Sequence, residues 1–321
     1  TEKPMRIFTI IVTYNGARWF DRCFASLMSA DAPCTVLVVD NGSTDGTVER
    51  IRAGFPSVEV YRAHANLGFG KANNVAIRMA LDRSATHFFL LNQDAWVVPG
   101  SLAALATELD KDPSFGIVSP MHLNGSGDAL DVFFSRSLIP AQCPGYLSDL
   151  VLGKVKTGIY ATTNVNAAAW LMSRACVERV GGFSPVFYHY GEDENYVNRL
   201  HYHGSRIGVL PGTYVHHDRE DRPESSYFTD RMEYDRRIFV RNLSDPADER
   251  TGSEELAVLA RARYKALLFR RSSELKRIDA RKQSLLRSNL QQVIELRART
   301  RVPGPTFLGE EEDLLGAVIR V

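Results

Sequence analysis

Over roughly the first hundred positions, short apolar runs alternate with stretches whose apolar residues recur every three or four places. Ile7-Phe8-Thr9-Ile10-Ile11-Val12 is continuous and β-branched, which predicts a strand buried on both faces. Thr13-Tyr14-Asn15-Gly16 breaks it, and Trp19, Phe20, Cys23, Phe24 and Leu27 follow at helical spacing. Thr35-Val36-Leu37-Val38-Val39 predicts a second strand, ended by Asp40-Asn41-Gly42-Ser43, and Thr47–Phe55 a helix closed near Gly54 and Pro56. A third strand is predicted over Val58–Tyr61, a loop over Asn66–Gly70, a helix over Lys71–Leu81 and a fourth strand over His87–Leu91, ended by Asn92-Gln93-Asp94. Strands alternating with helices predict an α/β fold with a Rossmann-like, mostly parallel central sheet and helices on both faces. Ligands of such sheets lie beyond the carboxyl ends of the strands. The polar clusters Thr13–Asn15, Asp40–Ser43 and Asn92–Asp94 are therefore expected to meet in one crevice.

The middle of the chain is less regular. Ile117–Pro120 predicts a strand, Asn124–Asp128 a turn, and residues 130–160 a variable excursion rich in Pro and Gly. Asn166–Met172 returns to the core, Gly181-Gly182-Phe183 turns tightly, and Glu192-Asp193-Glu194 opens a helix, where acidic residues suit the helix dipole. Ile207–Leu210 predicts another short strand, followed by Val215-His216-His217-Asp218. From Glu254 to Arg301 the composition shifts to thirteen basic against five acidic residues, with apolar positions that predict one or two amphipathic helices.

The whole chain has 321 residues, with 39 Lys and Arg against 38 Asp and Glu, so its net charge does not argue for nucleic acid, although a local patch still could; no nucleic-acid partner is expected. Cys23, Cys34, Cys143 and Cys176 are widely spaced and read as buried thiols rather than as a disulfide frame or zinc site. Thr1-Glu2-Lys3-Pro4 does not read as the start of a signal peptide, and no run approaches the roughly 20 apolar residues of a membrane span. The expectation is a cytoplasmic protein.

The ordered set Ile11-Val12-Thr13-Tyr14-Asn15, Val38-Val39-Asp40-Asn41-Gly42-Ser43-Thr44-Asp45, Asn66-Leu67-Gly68-Phe69-Gly70-Lys71-Ala72-Asn73-Asn74, Leu91-Asn92-Gln93-Asp94 and Gly191-Glu192-Asp193 resembles the family 2 inverting glycosyltransferases. Within them it is most similar to the bacterial rhamnosyltransferase-type branch, in which the second strand ends in Asp-Asn. The resemblance spans about residues 7–220. It implies a GT-A domain over 1–220, with a nucleotide-sugar half to about 115 and an acceptor half from about 116, then a C-terminal helical extension over 221–321.

The resemblance also implies roles. Thr13, Tyr14, Asn15, Asp40 and Asn41 would serve the nucleoside: Asp40 and Asn41 can hydrogen-bond a pyrimidine edge and Tyr14 can pack on the base. Asn66, Gly68 and Asn73 match the loop near the nucleotide, where glycine permits close backbone approach. Asn92, Gln93 and Asp94 stand where the family carries D-x-D, with Asn92 replacing the first acid. Asp94 can still bind Mg²⁺ or Mn²⁺, and Val215-His216-His217 fits the family's later Val-x-His, with His217 favoured as ligand over His216. Asp193 matches the general base of inversion, with Glu192 positioning the acceptor. The implied partners are a dTDP- or UDP-linked sugar, with L-rhamnose first, and a glycan or lipid-linked glycan of a bacterial surface polysaccharide. Residues 125–165 and 218–250 are expected to build the acceptor pocket, and Trp170 and Tyr188 to pack in the core rather than on a sugar. The basic C-terminal helices read as a solvated face folded on the domain or a homodimer partner, with peripheral contact at the inner face of the cell membrane as the second reading. An inactive nucleotide- or glycan-binding module, or a sugar-1-phosphate nucleotidylyltransferase, would share the α/β pattern. The retained Asp94, Asp193 and His217 oppose the first, and the absence of a Gly-rich loop after strand one opposes the second.

Overall fold

In a computed structural model, residues 4–219, 230–309 and 313–321 are described; Thr1–Lys3 and part of the 218–250 acceptor segment lie outside them. The chain forms β1 (Ile7–Thr13), α1 (Phe20–Met28), β2 (Cys34–Asp40), α2 (Thr47–Gly54), β3 (Glu59–Ala63), α3 (Gly68–Asp82), β4 (His87–Leu91), β5 (Ala95–Val97) and α4 (Ser101–Lys111). There follow β6 (Phe115–Leu123), α5 (Val132–Ser135), α6 (Tyr146–Val151), β7 (Tyr160–Thr162), β8 (Ala169–Ser173), α7 (Arg174–Val180), α8 (Glu192–Tyr202) and β9 (Arg206–His217). The C-terminal region holds α9 (Arg231–Leu243), α10 (Ser253–Leu268), α11 (Ser272–Leu286), α12 (Leu290–Thr300) and β10 (Val318–Arg320).

One sheet runs β10-β3-β2-β1-β4-β8-β6-β9-β5, with β7 paired to β9. β3, β2, β1 and β4 are mutually parallel, as the βα alternation predicts; β8 enters antiparallel between β4 and β6, and β9 is again parallel to β6. The double-sided burial read from β1 is observed. Phe8 and Ile10 join α3 residues such as Val75 and Ile77 in one core, while Ile7 and Ile11 join Phe24 and Leu27 of α1 in the other. Among the described residues no helix is long and apolar enough to cross a membrane.

Several boundaries differ from the sequence pattern. Gly68 opens α3 rather than lying in a loop. The strand expected over 207–210 runs through 217 as β9, because three extra residues bulge after Leu210 before pairing with β6 resumes at Tyr214. The C-terminal stretch forms three helices rather than one or two, broken at Arg270 and Asn289, both with left-handed φ (54° and 43°). The chain then returns to the sheet, where β10 pairs antiparallel with β3. Cys34 is partly exposed, whereas Cys23, Cys143 and Cys176 are buried.

Candidate functional site

Thr13 and Asp40 are opposite partners at the ends of β1 and β2, so parallel register alone brings the first two polar clusters together. The Asp40 carboxylate is fully buried and already occupied. It accepts from Thr13 Oγ1 at 3.0 Å, from the Ser43 hydroxyl, and from the backbone N–H groups of Gly42 and Ser43 at 3.1 and 3.0 Å. Asp40 thus shapes the β2–α2 turn. Asn15, held at φ 49°, accepts from Thr44 N–H through its side chain, and its own N–H donates to Ser43 Oγ. Tyr14 is 51% exposed, an aromatic ring standing at the mouth rather than in the core. Its backbone is held at two points by the Gln93 amide, at 3.0 and 3.1 Å. Asn41 donates to Gly68 O and accepts from Leu67 N–H, tying β2 to the start of α3. Asn66 accepts from Gly68 N–H at 2.9 Å. Asn73 turns inward to Phe69 O, and Asn74 clamps both backbone groups of Phe183.

A second group forms where β4, β6 and β9 end at the same sheet edge. His217 faces Asp94, with Nε2 3.6 Å from Oδ1, and both are buried. The ring's other nitrogen, Nδ1, lies 3.3 Å from Asp131 Oδ2, and the same oxygen accepts from Arg219 Nε at 2.7 Å. Burial raises the Asp131 pKa, but His217 and the Arg219 cation outweigh it and hold the carboxyl well below its ordinary range. A tautomer with its Nδ1 proton toward Asp131 would turn the Nε2 lone pair toward Asp94 and the Asn92 amide, 3.5 Å away. A lone pair facing a carboxylate is favourable only with a proton or cation shared between them. This donor set fits a divalent cation, with Asp131 fixing the imidazole as carboxylates do beside metal-bound histidines. Among the described residues no group of three or more His, Cys, Asp or Glu stands ready to hold a metal, so a bound diphosphate would have to supply oxygens. Strand alternation separates the two histidines: His216 stacks on Trp96 at 5.1 Å. Buried His122, 6.0 Å from His217, is kept neutral chiefly by burial.

The third group opens α8. Tyr190 (φ 64°) and Gly191 (φ 99°) turn the chain so that Glu192 and Asp193 lie in the first helical turn. Glu192 is 4% exposed, its Oε2 has no hydrogen-bond partner, and burial together with Asp193 raises its pKa. Asp193 is partly exposed; burial and then Glu194 raise its pKa. Its Oδ1 accepts from Glu194 N–H at 2.9 Å, and its Oδ2 lies 3.5 Å from Ala167 N. Asn92 N–H donates at 2.9 Å to Ala168 O, one residue along. The carboxylate of Asp193 and the Asn92–Asp94 turn are therefore neighbours across the 167–168 backbone. The expected core role of Trp170 is observed, since it is fully buried and donates to Val165 O. The same expectation for Tyr188 is corrected: the ring is 60% exposed, because the 184–191 segment passes over the start of α3 instead of entering the core.

The structure brings Thr13, Tyr14, Asn15, Asp40, Asn41, Asn66, Gly68, Asn92, Gln93, Asp94, His217, Glu192 and Asp193 to one side of the sheet; Asn73 is buried in α3 beside them. Asp131, Arg219 and His122 escaped the sequence reading. The only signal in the chain for Asp131 is its place as a helix cap ahead of Val132-Phe133-Phe134.

Residues 9–139 match the family model described as glycosyl transferase family 2. An N-acetylglucosaminyl-diphospho-decaprenol L-rhamnosyltransferase of Mycobacterium tuberculosis is 28% identical over 234 residues, covering 65% of this chain and 75% of the relative. The structure of S. aureus TarS superposes with TM-score 0.53 at 20% identity over 76% of this chain; the chain spans 41% of TarS. GalNAc-T7 with UDP, GalNAc and Mn²⁺ superposes with TM-score 0.57 at 15% identity, over 97% of this chain and 57% of that one. At such identities the structural likeness shows the fold, which is the GT-A type.

Proposed function

We propose that the protein is an inverting glycosyltransferase that moves L-rhamnose from a thymidine-diphosphate carrier to a lipid-linked glycan of a bacterial surface polysaccharide, at the inner face of the cell membrane. The observation that carries the reading is the adjacency of Asp193 and the Asn92–Asp94 turn across Ala167 and Ala168. A base and a diphosphate-binding edge must lie this close if one takes a proton while the other receives the leaving group. The choice of sugar and acceptor is supported by the name of the M. tuberculosis relative. A UDP-linked donor is the alternative within the same chemistry.

On this reading the half of the domain up to about residue 115 holds the donor, with Tyr14 against the base and the Asp40 turn shaping the pocket. The half from about 116 to 220 presents the acceptor. Asp193 takes the proton of the acceptor hydroxyl as its oxygen forms a bond to the anomeric carbon. The bond from that carbon to the nucleoside diphosphate breaks on the opposite face, which inverts the centre. Glu192, kept protonated by burial and by Asp193, can donate a hydrogen bond to an acceptor or donor hydroxyl. A divalent cation held by Asp94 and His217 would neutralise the departing diphosphate.

The test pairs Asp193→Asn with the parent. Nucleotide binding by calorimetry stays within about twofold, while transfer falls by about 10²–10⁴-fold, the usual worth of a general base. Transfer by the variant near the parental rate sinks the proposal.

A further inference from the structure

α10 and α11 form a hairpin held by Leu259, Ala266, Ile278 and Leu285. Away from that seam, Tyr264, Leu267 and Leu268 stand at i, i+3 and i+4, and Phe269 follows at the turn; they are 69%, 47%, 64% and 63% exposed. A solvated helix turns charge outward and its apolar stripe inward. The end of α10 has an apolar stripe on both sides, so its outer one is unexplained by folding.

The hairpin that carries this tip is rich in cations. Nine Lys and Arg against two acidic residues lie between Arg261 and Lys282. Arg263 pairs with Asp279, Arg271 with Glu274 and Arg281 with Glu255. Arg270, Lys276 and Arg277 have no carboxylate partner among the described residues. Apolar side chains on a hairpin with unneutralised cations are complementary to an anionic lipid surface: the apolar groups enter the boundary of headgroups and acyl chains, and the cations remain at the phosphates. A second copy of the same tip would meet it with like charge.

We infer that the α10–α11 tip docks the protein on an anionic bilayer, with Leu267, Leu268 and Phe269 as the inserted residues. The inference does not rest on the sugar-transfer reading, since lipid binding is measured without donor or acceptor. It differs from what a second exposed apolar patch would give. That patch, Leu147, Leu150 and Val151 on α6 with Leu152, includes Asp149 and is followed in the chain by Lys154 and Lys156.

The experiment is flotation of the full chain with vesicles of phosphatidylcholine, alone or with about one-third phosphatidylglycerol. The protein is expected to float with the anionic vesicles only, and less at about 0.5 M salt, where screening is strong. Leu268→Glu with Phe269→Glu should weaken binding by at least about tenfold. The triple variant Arg270→Glu, Lys276→Glu, Arg277→Glu should do the same without touching the apolar residues, which guards against a folding defect in the first. Both should melt as the parent does. The inference is overturned if the parent ignores anionic vesicles or floats equally with neutral ones. It is also overturned if both tip variants float like the parent, or if Leu150→Glu with Val151→Glu abolishes binding instead. A parental dimer in solution that the tip variants convert to monomer would assign the face to a second copy and overturn it as well.

Discussion

Asp131 lies in none of the five motifs, yet it touches His217 Nδ1 and Arg219 Nε with a single oxygen. It acts as a positioning residue, through the imidazole. Replacing it with Asn removes the charge that fixes the ring, so Mn²⁺ affinity in the presence of nucleotide should fall by about 10–100-fold. A calorimetric Mn²⁺ titration checks this, and an unchanged affinity would remove Asp131 from the site. Asp193 makes a prediction about pH. Burial and Glu194 raise its folded pKa, so its contribution to stability is present below the unfolded value of about 4 and is lost as pH rises through the folded one. Asp193→Asn should therefore melt above the parent at pH ~8 and lose that advantage near pH ~4. The acidic limb of kcat/KM should sit above an ordinary aspartate, and Glu194→Gln should move it to lower pH. A limb that stays in place in Glu194→Gln would contradict that cause.

At the scale of the element, the start of α3 is a junction. Gly68 has φ 75°, and a Cβ there would meet Tyr188 O at 2.2 Å. The helix can begin under the 184–191 segment only because position 68 has no side chain. Asn41 holds the same point from the β2 side. Gly68→Ala forces a left-handed alanine and a backbone clash together. It should cost at least about 1–2 kcal/mol in urea unfolding and weaken nucleotide binding, because Tyr188 and the turn before Glu192 must shift. Wild-type stability in that variant would show that the close approach is not required.

Across the whole molecule, the C-terminal region bears on the segment that leads into α8. Phe187 packs with Val240, Leu243 and Val293, joining the segment before Glu192 to α9 and α12. Arg241 of α9 donates to Glu194 at 2.6 Å. Beyond α12, Thr306 O accepts from Gly182 N–H, and β10 pairs with β3 on the far edge of the sheet. Phe187→Ala leaves a cavity at the contact, with an expected cost of about 3–5 kcal/mol. Because this loop leads into the first turn of α8, where Asp193 is the proposed base, transfer should fall more than donor binding does. A thermal-shift panel with Mn²⁺ tests the ligands at the same scale: the cognate nucleotide at 100 times its Kd should add about 2.7 kcal/mol of stability, and no shift with any nucleotide would count against a donor site.

By itself the sequence determined the α/β class, the mostly parallel character of the sheet and the edge where the polar clusters emerge. Those follow from local periodicity and from the rule that βαβ units place strand ends on one side, so Thr13, Asp40 and Asn92 were legible as neighbours. Strand alternation then turned His217, and not His216, toward Asp94, but only after the bulge past Leu210 had set the register. The tertiary structure alone decided the rest. Asp131 reaches His217 through an excursion with no periodic signal, and Asp193 meets Ala167 because β8 runs antiparallel beside β4. Tyr188 stays in solvent because its segment crosses α3 instead of packing beneath it. Contacts of this kind join residues far apart in the chain, and nothing in the local pattern of either partner encodes the distance between them.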